Sequence, residues 1–195
     1  MCGRYYIEMD DGELDEIVRE AEKNVQAYTG TGQIMMKTRG EIFPTDIVPV
    51  LTAPGRIQAM QWGFTLSKGG PVINARCETV FEKTMFQQAM ADKRCLIPAS
   101  GYYEWASIPG SRKKEKYTFQ APGSVLYFAG CYRMEKTSPV SRFVILTRQA
   151  IGGAESIHDR MPVMVPGERI ADWLKEGLPG IAFEESLTAV QYEIA

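Results

Sequence analysis

The chain has 195 residues, 45% hydrophobic and 24% charged, which at roughly 150 residues per domain leads us to expect one domain, 1–195, with a core large enough to need no staples. A formal charge of −2 argues against a general nucleic-acid binder, yet residues 1–24 carry −5, residues 165–195 carry −4, and the stretch between them carries +7. Cysteines at 2, 77, 95 and 131 lack paired metal-ligand spacing and a single His excludes a multi-histidine centre, so neither metal nor cofactor is expected.

The opening MCGRYYIEMDDGELDE is acidic and has no basic stretch followed by an apolar run, so it does not read as a signal peptide. No apolar run approaches the ~18 residues needed to cross a bilayer, and a soluble, reduced, cytoplasmic protein is expected. Residues 3–8 read as a short strand. Leu14, Ile17, Val18, Ala21 and Val25 then recur at helical spacing behind Asp10 and Asp11, which predicts an amphipathic helix. TGTGQ at 29–33 is a loop. Segments 46–52 and 56–62 read as a hairpin turning through Ala53-Pro54-Gly55. After a loop at 67–71, VINAR (72–76) leads into a second helix, about 78–91, with Phe81, Met85 and Phe86 facing the core. Strands are predicted at 94–97, 102–105, 116–120, 124–132 and 142–147, with a basic loop, RKKEK, at 112–116. A short helix at 167–175 precedes an acidic tail. This order predicts an α+β fold, a mostly antiparallel curved sheet or barrel-like core with a few peripheral helices.

Few residues offer chemistry. If Met1 is removed, which a small second residue permits, Cys2 carries a free α-amine beside its thiol. Reference pKa values of about 7.7–8.0 and about 8.5 leave part of each group reactive near neutrality. An aldehyde would condense with the amine, and the thiol would close a five-membered thiazolidine. The plain alternative is an incidental cysteine near a terminus. His158 is either a structural histidine or the one imidazole able to move protons near pH 7. Glu104, between Tyr103 and Trp105, is either a solvated outward position or a desolvated acid with a raised pKa. Asn74 and Arg76 share a strand face and suit a phosphate or sugar oxygen, or equally an ion pair with Glu78. Trp62, Pro44 and the tyrosines suit base stacking or the core. Cys77, Cys95 and Cys131 look like small core hydrophobes.

In chain order, MCGRY (1–5), Trp62-Gly63, NARCET (74–79), RCLIPASGYYEW (94–105), FAG (128–130) and IHDRMPV (157–163) together resemble the SOS-response-associated peptidase family, the abasic-site processing proteins. The resemblance implies that family's fold and a shield for abasic sites in single-stranded DNA, including single/double-strand junctions. It implies a monomer without membrane contact, cytoplasmic and nucleoid-associated when DNA is damaged. Mature Cys2 would form a thiazolidine DNA–protein crosslink with the ring-opened aldehyde and Asn74 would orient the adduct. Glu104 would serve as acid and base, and His158 would share that proton traffic and assist reversal. Arg4, Asn74, Arg76, Thr147 and Arg160 would contact DNA, with Trp62 and Pro44 near the strand junction. Removal of its own leading residue and a lyase activity also follow from the resemblance. The chain departs from the family pattern at Cys77, usually a small residue, and at FTLSKGG after Trp62-Gly63, where a longer Trp-containing stretch is usual.

Two other readings remain. An N-terminal-nucleophile amidohydrolase also begins with MCG and would use Cys2 for an acyl-enzyme. A non-enzymatic single-stranded DNA-binding module would use the basic middle and the aromatics alone.

Overall fold

The computed structural model describes residues 2–8, 12–28, 34–121, 123–136, 138–175 and 191–195. The loop expected at 29–33 and most of the acidic tail lie outside the described residues.

In chain order the strands are β1 (Tyr5–Ile7), β2 (Gly40–Ile42), β3 (Ile47–Ala53), β4 (Arg56–Trp62), β5 (Asn74–Arg76), β6 (Arg94–Ala99), β7 (Gly101–Ser107), β8 (Lys114–Gln120), β9 (Leu126–Arg133), β10 (Arg142–Gln149), β11 (Arg160–Pro162) and β12 (Gln191–Ile194). The helices are α1 (Gly12–Tyr28), α2 (Thr84–Asp92) and α3 (Ile170–Leu174). One sheet has the order β12-β8-β7-β1-β2. The other runs β11-β10-β4-β3-β6-β9, and because β9 also pairs with β10 its strands close into a ring. All pairings are antiparallel except those of β10 with β4 and with β5. The barrel-like α+β expectation holds.

Strand alternation explains two cores. In β6, Cys95, Ile97 and Ala99 belong to one cluster with Val48, Val50, Met60, Phe128, Phe143 and Ile145, inside the ring. Leu96 belongs to the other cluster, with Leu51, Ile57, Val144 and Leu146, beneath Ile17 and Ala21 of α1, Phe86 and Met90 of α2 and Trp173 of α3. A strand covered on both faces reads as a continuous apolar run, and all of β6 is buried. Gly130 stands where β9 pairs with both neighbours. A Cβ there would lie 2.6 Å from Ile97 Cδ1 and 2.6 Å from the Val144 carbonyl oxygen, so only glycine lets the ring close.

The helix predictions need correction. The backbone after β5 first runs through turns, in which the Thr79 N–H donates to the Arg76 carbonyl and the Lys83 N–H to the Thr79 carbonyl. α2 begins only at Thr84, and Phe81 is 46% exposed rather than in the core. Lys83 caps α2 without a side-chain hydrogen bond, so no capping residue in the sequence marks where the helix starts. The segment expected as a helix at 167–175 is a 3₁₀ turn, Gly167–Arg169, followed by α3. Strand β12 was not anticipated; its exposed residues gain order from pairing with β8.

The Phe43–Asp46 turn is built at a local cost. The Asp46 N–H donates to the Phe43 carbonyl, 3.0 Å, and the Phe43 N–H donates to Asp46 Oδ2, 2.9 Å. Pro44 sits at the second position and Thr45 at the third with φ 77°, where a type II turn wants glycine or asparagine. A β-branched residue in that region is strained, and Thr45→Asn is expected to raise unfolding stability by about 0.5–1 kcal/mol in a denaturant titration.

Candidate functional site

The N-terminal segment enters where the smaller sheet meets the mouth of the ring. Cys2 has no exposed surface and shares a core cluster with Tyr5, Tyr102, Trp62 and Phe143. Its Sγ lies 3.8 Å from the Arg4 carbonyl oxygen. Asn74 Nδ2, 72 positions away in sequence, donates to the Cys2 carbonyl at 2.8 Å. Register explains how Asn74 gets there. β5 lies parallel to β10 with Asn74 opposite Ile145, Ala75 turns into the core, and Asn74 and Arg76 share the opposite face.

Glu104, on β7 opposite Tyr117 of β8, is only 3% exposed. Burial holds its carboxyl above the ordinary carboxylate value, and the His158 charge opposes part of that rise. Burial also pushes the Cys2 thiol far up, reinforced by the nearby Glu104 charge. The Glu104 charge therefore disfavours a thiolate at Cys2, and the two groups resist being anionic together. The phenols of Tyr5 and Tyr102 are raised by burial and then by Cys2, and their hydroxyls are buried without a hydrogen-bond partner among the described residues. Both stay protonated next to the thiol. Neither was singled out from sequence, because only the antiparallel register Tyr5↔Tyr102 brings them to one place.

Arg4, Glu104, Trp105, Lys114 and His158 line a cavity of ≈ 380 Å³. The single imidazole and the buried acid are thus neighbours although 54 positions apart in sequence. His158 Nδ1 lies 3.0 Å from the Arg160 backbone nitrogen and 2.8 Å from Asp159 Oδ1. In the neutral ring Nδ1 accepts from the Arg160 N–H, which leaves the proton on Nε2; a protonated ring donates from Nδ1 to Asp159 instead. Trp105 and Lys114 were not among the expected site residues. The aromatic-rich SGYYEW string and the basic RKKEK loop were their signals.

The expected DNA contacts separate into surface and interior. Arg76 is exposed on the Asn74 face. Arg4 is partly exposed, with its guanidinium 4.4 Å from the Phe43 ring centroid and 5.0 Å from that of Trp105, and with Nη1 on Glu41 Oε2 at 3.2 Å. Pro44 is half-buried in its turn. Two expectations are corrected. Trp62 is fully buried, stacks on Phe143 and donates from Nε1 to the Ile73 carbonyl at 2.9 Å, so it braces β5 behind Asn74 and does not face DNA. Thr147 is also fully buried, and its carbonyl accepts from the Cys77 N–H and from Arg160 Nη2. β-Strand alternation inside a closed ring gives both positions to the core.

Arg160 grips Glu78 through two bonds, Nη1 to Oε1 at 2.8 Å and Nη2 to Oε2 at 2.9 Å. That pairing holds the Glu78 carboxyl down at about 2. The ion pair anticipated between Arg76 and Glu78 is made by Arg160. It ties the start of β11, two residues beyond His158, to the segment leaving Asn74. The four cysteines are free and buried, as expected for 77, 95 and 131. Among the described residues no cluster of His, Cys, Asp or Glu is placed to hold a metal ion, and no helix is long and apolar enough to cross a membrane.

The profile described as SOS response associated peptidase (SRAP) matches residues 1–191. Similar chains include the abasic site processing protein YoqW of Bacillus subtilis, 28% identical over 186 residues that cover 89% of this chain and 80% of that protein. The abasic site processing protein YMR114C of Saccharomyces cerevisiae is 26% identical over 204 residues, 89% of this chain and 55% of its own length. The abasic site processing protein YedK of Escherichia coli is 30% identical over 112 residues, 56% of this chain and 50% of its own. Among solved structures, a phage-related protein of Bordetella bronchiseptica superposes with TM-score 0.74 at 22% identity, covering 100% of this chain and 94% of the other.

Proposed function

The chain belongs to the SOS response associated peptidase family, and from that premise we propose that it captures abasic sites in single-stranded DNA through Cys2. The observation that carries the reading is the hydrogen bond from Asn74 to the Cys2 carbonyl, at a buried thiol that feels the Glu104 charge, with Glu104 and His158 lining one cavity. Loss of Met1 turns the Cys2 amide nitrogen into an amine. That amine adds to the ring-opened sugar aldehyde, water leaves as a proton is delivered to the carbinol oxygen, and an iminium forms. The thiol then adds to the iminium carbon and gives up its proton, which closes the thiazolidine with no net redox change.

Glu104 supplies the first proton as an acid and receives the thiol proton as a base, roles suited to a carboxyl held above its ordinary value. As a carboxylate it also stabilises the iminium charge. His158 relays protons between Glu104 and solvent and serves ring reopening. Asn74 holds the Cys2 backbone, while Arg4 and Arg76 offer their guanidinium groups to flanking phosphates. Arg160 reaches phosphate only beside its Glu78 pair. The Cys2 thiol supports self-processing at residue 1: it attacks the Met1 carbonyl, the peptide bond breaks to release the Cys2 amine, and water frees the methionine from the thioester. In the later adduct the Schiff base makes the adjacent sugar carbon acidic enough for a lyase step.

Intact mass of the purified protein mixed with an abasic oligonucleotide tests this. The expected product is the Met-free chain plus the DNA, less one water. A Met-free chain that stays unmodified by a substrate aldehyde overturns the reading.

A further inference from the structure

The basic loop between β7 and β8 has no part in the chemistry above, yet it stands at the mouth of the same cavity. We propose that the β7–β8 hairpin is an arm that tracks the phosphates of the single strand flanking the captured nucleotide. The inference rests on the proposed function and adds to it a surface made of Arg112, Lys113 and Lys114.

The position comes from register. Glu104 pairs with Tyr117, Trp105 with Lys116, and Ser107 with Lys114, so the strands that carry the buried acid continue outward into the arm. Lys114 lines the cavity together with Arg4, Glu104, Trp105 and His158. Any strand whose sugar reaches Glu104 passes within a few residues of the loop.

The arm has its own internal order. The Ser111 N–H donates to the Ile108 carbonyl at 3.0 Å, Pro109 takes the second turn position, and Gly110 has φ 75°, a type II turn. Ser111 Oγ then accepts the Lys113 N–H at 3.0 Å. A Pro-Gly turn closed by its own bonds holds the cations at the surface with little ordering left for binding.

Charge points to the partner. Residues 108–114 are exposed, and Arg112, Lys113 and Lys114 make no ion pair among the described residues. The nearby acid, Glu115, accepts from the Tyr117 hydroxyl at 2.7 Å, and Lys116 is taken by Glu41 while lying 3.6 Å over the Tyr103 ring. Three uncompensated cations on a rigid arm, beside the stacked Arg4, complement a polyanionic strand.

The triple variant Arg112→Gln, Lys113→Gln, Lys114→Gln tests the arm, read by fluorescence anisotropy with an undamaged single-stranded oligonucleotide over a salt series. Undamaged DNA separates binding from Cys2 chemistry. Each lost phosphate contact on a single strand removes about 0.7 from the slope of log affinity against log salt, so the slope should flatten by about 2. A charge-matched control, Arg56→Gln, Lys93→Gln, Lys175→Gln, changes cations around a separate cavity and should keep the wild-type slope. Thermal melting checks that both variants fold. An unchanged slope in the hairpin variant, or an equal loss in the control, overturns the arm and leaves covalent capture standing. Wild-type protein with no affinity for the undamaged strand overturns the arm as well, whereas covalent capture stands or falls on the intact mass after mixing with abasic DNA.

Discussion

Replacing Cys2 with Ala is expected to reduce the boiling-resistant adduct with abasic single-stranded DNA to background, while adding borohydride restores a crosslink. The two halves of that result separate the two nucleophiles. Alanine is also a small second residue that permits loss of Met1, so the Cys2→Ala chain stripped of Met1 keeps the α-amine, a Schiff base still forms and a hydride source traps it as a secondary amine. Without the thiol, no ring closes over the imine carbon and water reverses the adduct. Cys2 is a small, fully buried side chain, and its truncation costs about 1 kcal/mol of packing, too little to unfold the protein. A variant that crosslinks as well as wild type without borohydride would show that the thiol has no role. Loss of both adducts with an unchanged melting temperature would place the nucleophile elsewhere.

Glu104→Gln separates activity from stability. Removing a general acid and base should slow adduct formation by about 10²- to 10⁴-fold in single-turnover mixing. The same change should raise the melting temperature at neutral pH. The folded protein holds the Glu104 proton more tightly than the unfolded chain, because burial raises the carboxyl above its usual value. Between the unfolded value, about 4.3, and the raised folded value, the native state binds more protons, so stability falls as pH climbs through that window. Gln carries no such loss. The variant's advantage should be full above the folded value and vanish below about pH 4, where both side chains are neutral. Equal capture rates for the two proteins would remove Glu104 from the proton path, and an equal melting temperature at every pH would remove its desolvation. The opposing signs matter, since a merely structural residue would lose stability along with rate.

Much of the secondary structure was legible because its determinants are local. The 47–62 hairpin followed from Ala53-Pro54-Gly55 between apolar runs, and α1 followed from helical spacing behind acidic residues. α2 was placed too early because aromatic residues at helical spacing look alike whether or not the first turn is capped; the exposed Phe81 is the result. β12 carries no strong strand signal, and its pairing with β8 is a long-range event.

The site divides in the same way. Sequence alone determined that Cys2 has a thiol on the carbon next to the one whose nitrogen loss of Met1 would free as an amine, that His158 is the only imidazole, and that the basic residues concentrate in the middle of the chain. Those are properties of covalent structure and order. Which residues face solvent was decided only by the closing of the ring. Trp62 and Thr147 passed from expected DNA contacts to the interior, whereas Trp105 and Lys114 came to the cavity wall. A strand's alternation says that neighbouring side chains point opposite ways, but not which way is inside; that depends on the partner strands and on what covers them. The same holds for the acid. The tertiary fold alone buries Glu104 and brings its charge within reach of Cys2, and desolvation is a property of surroundings that no single residue carries.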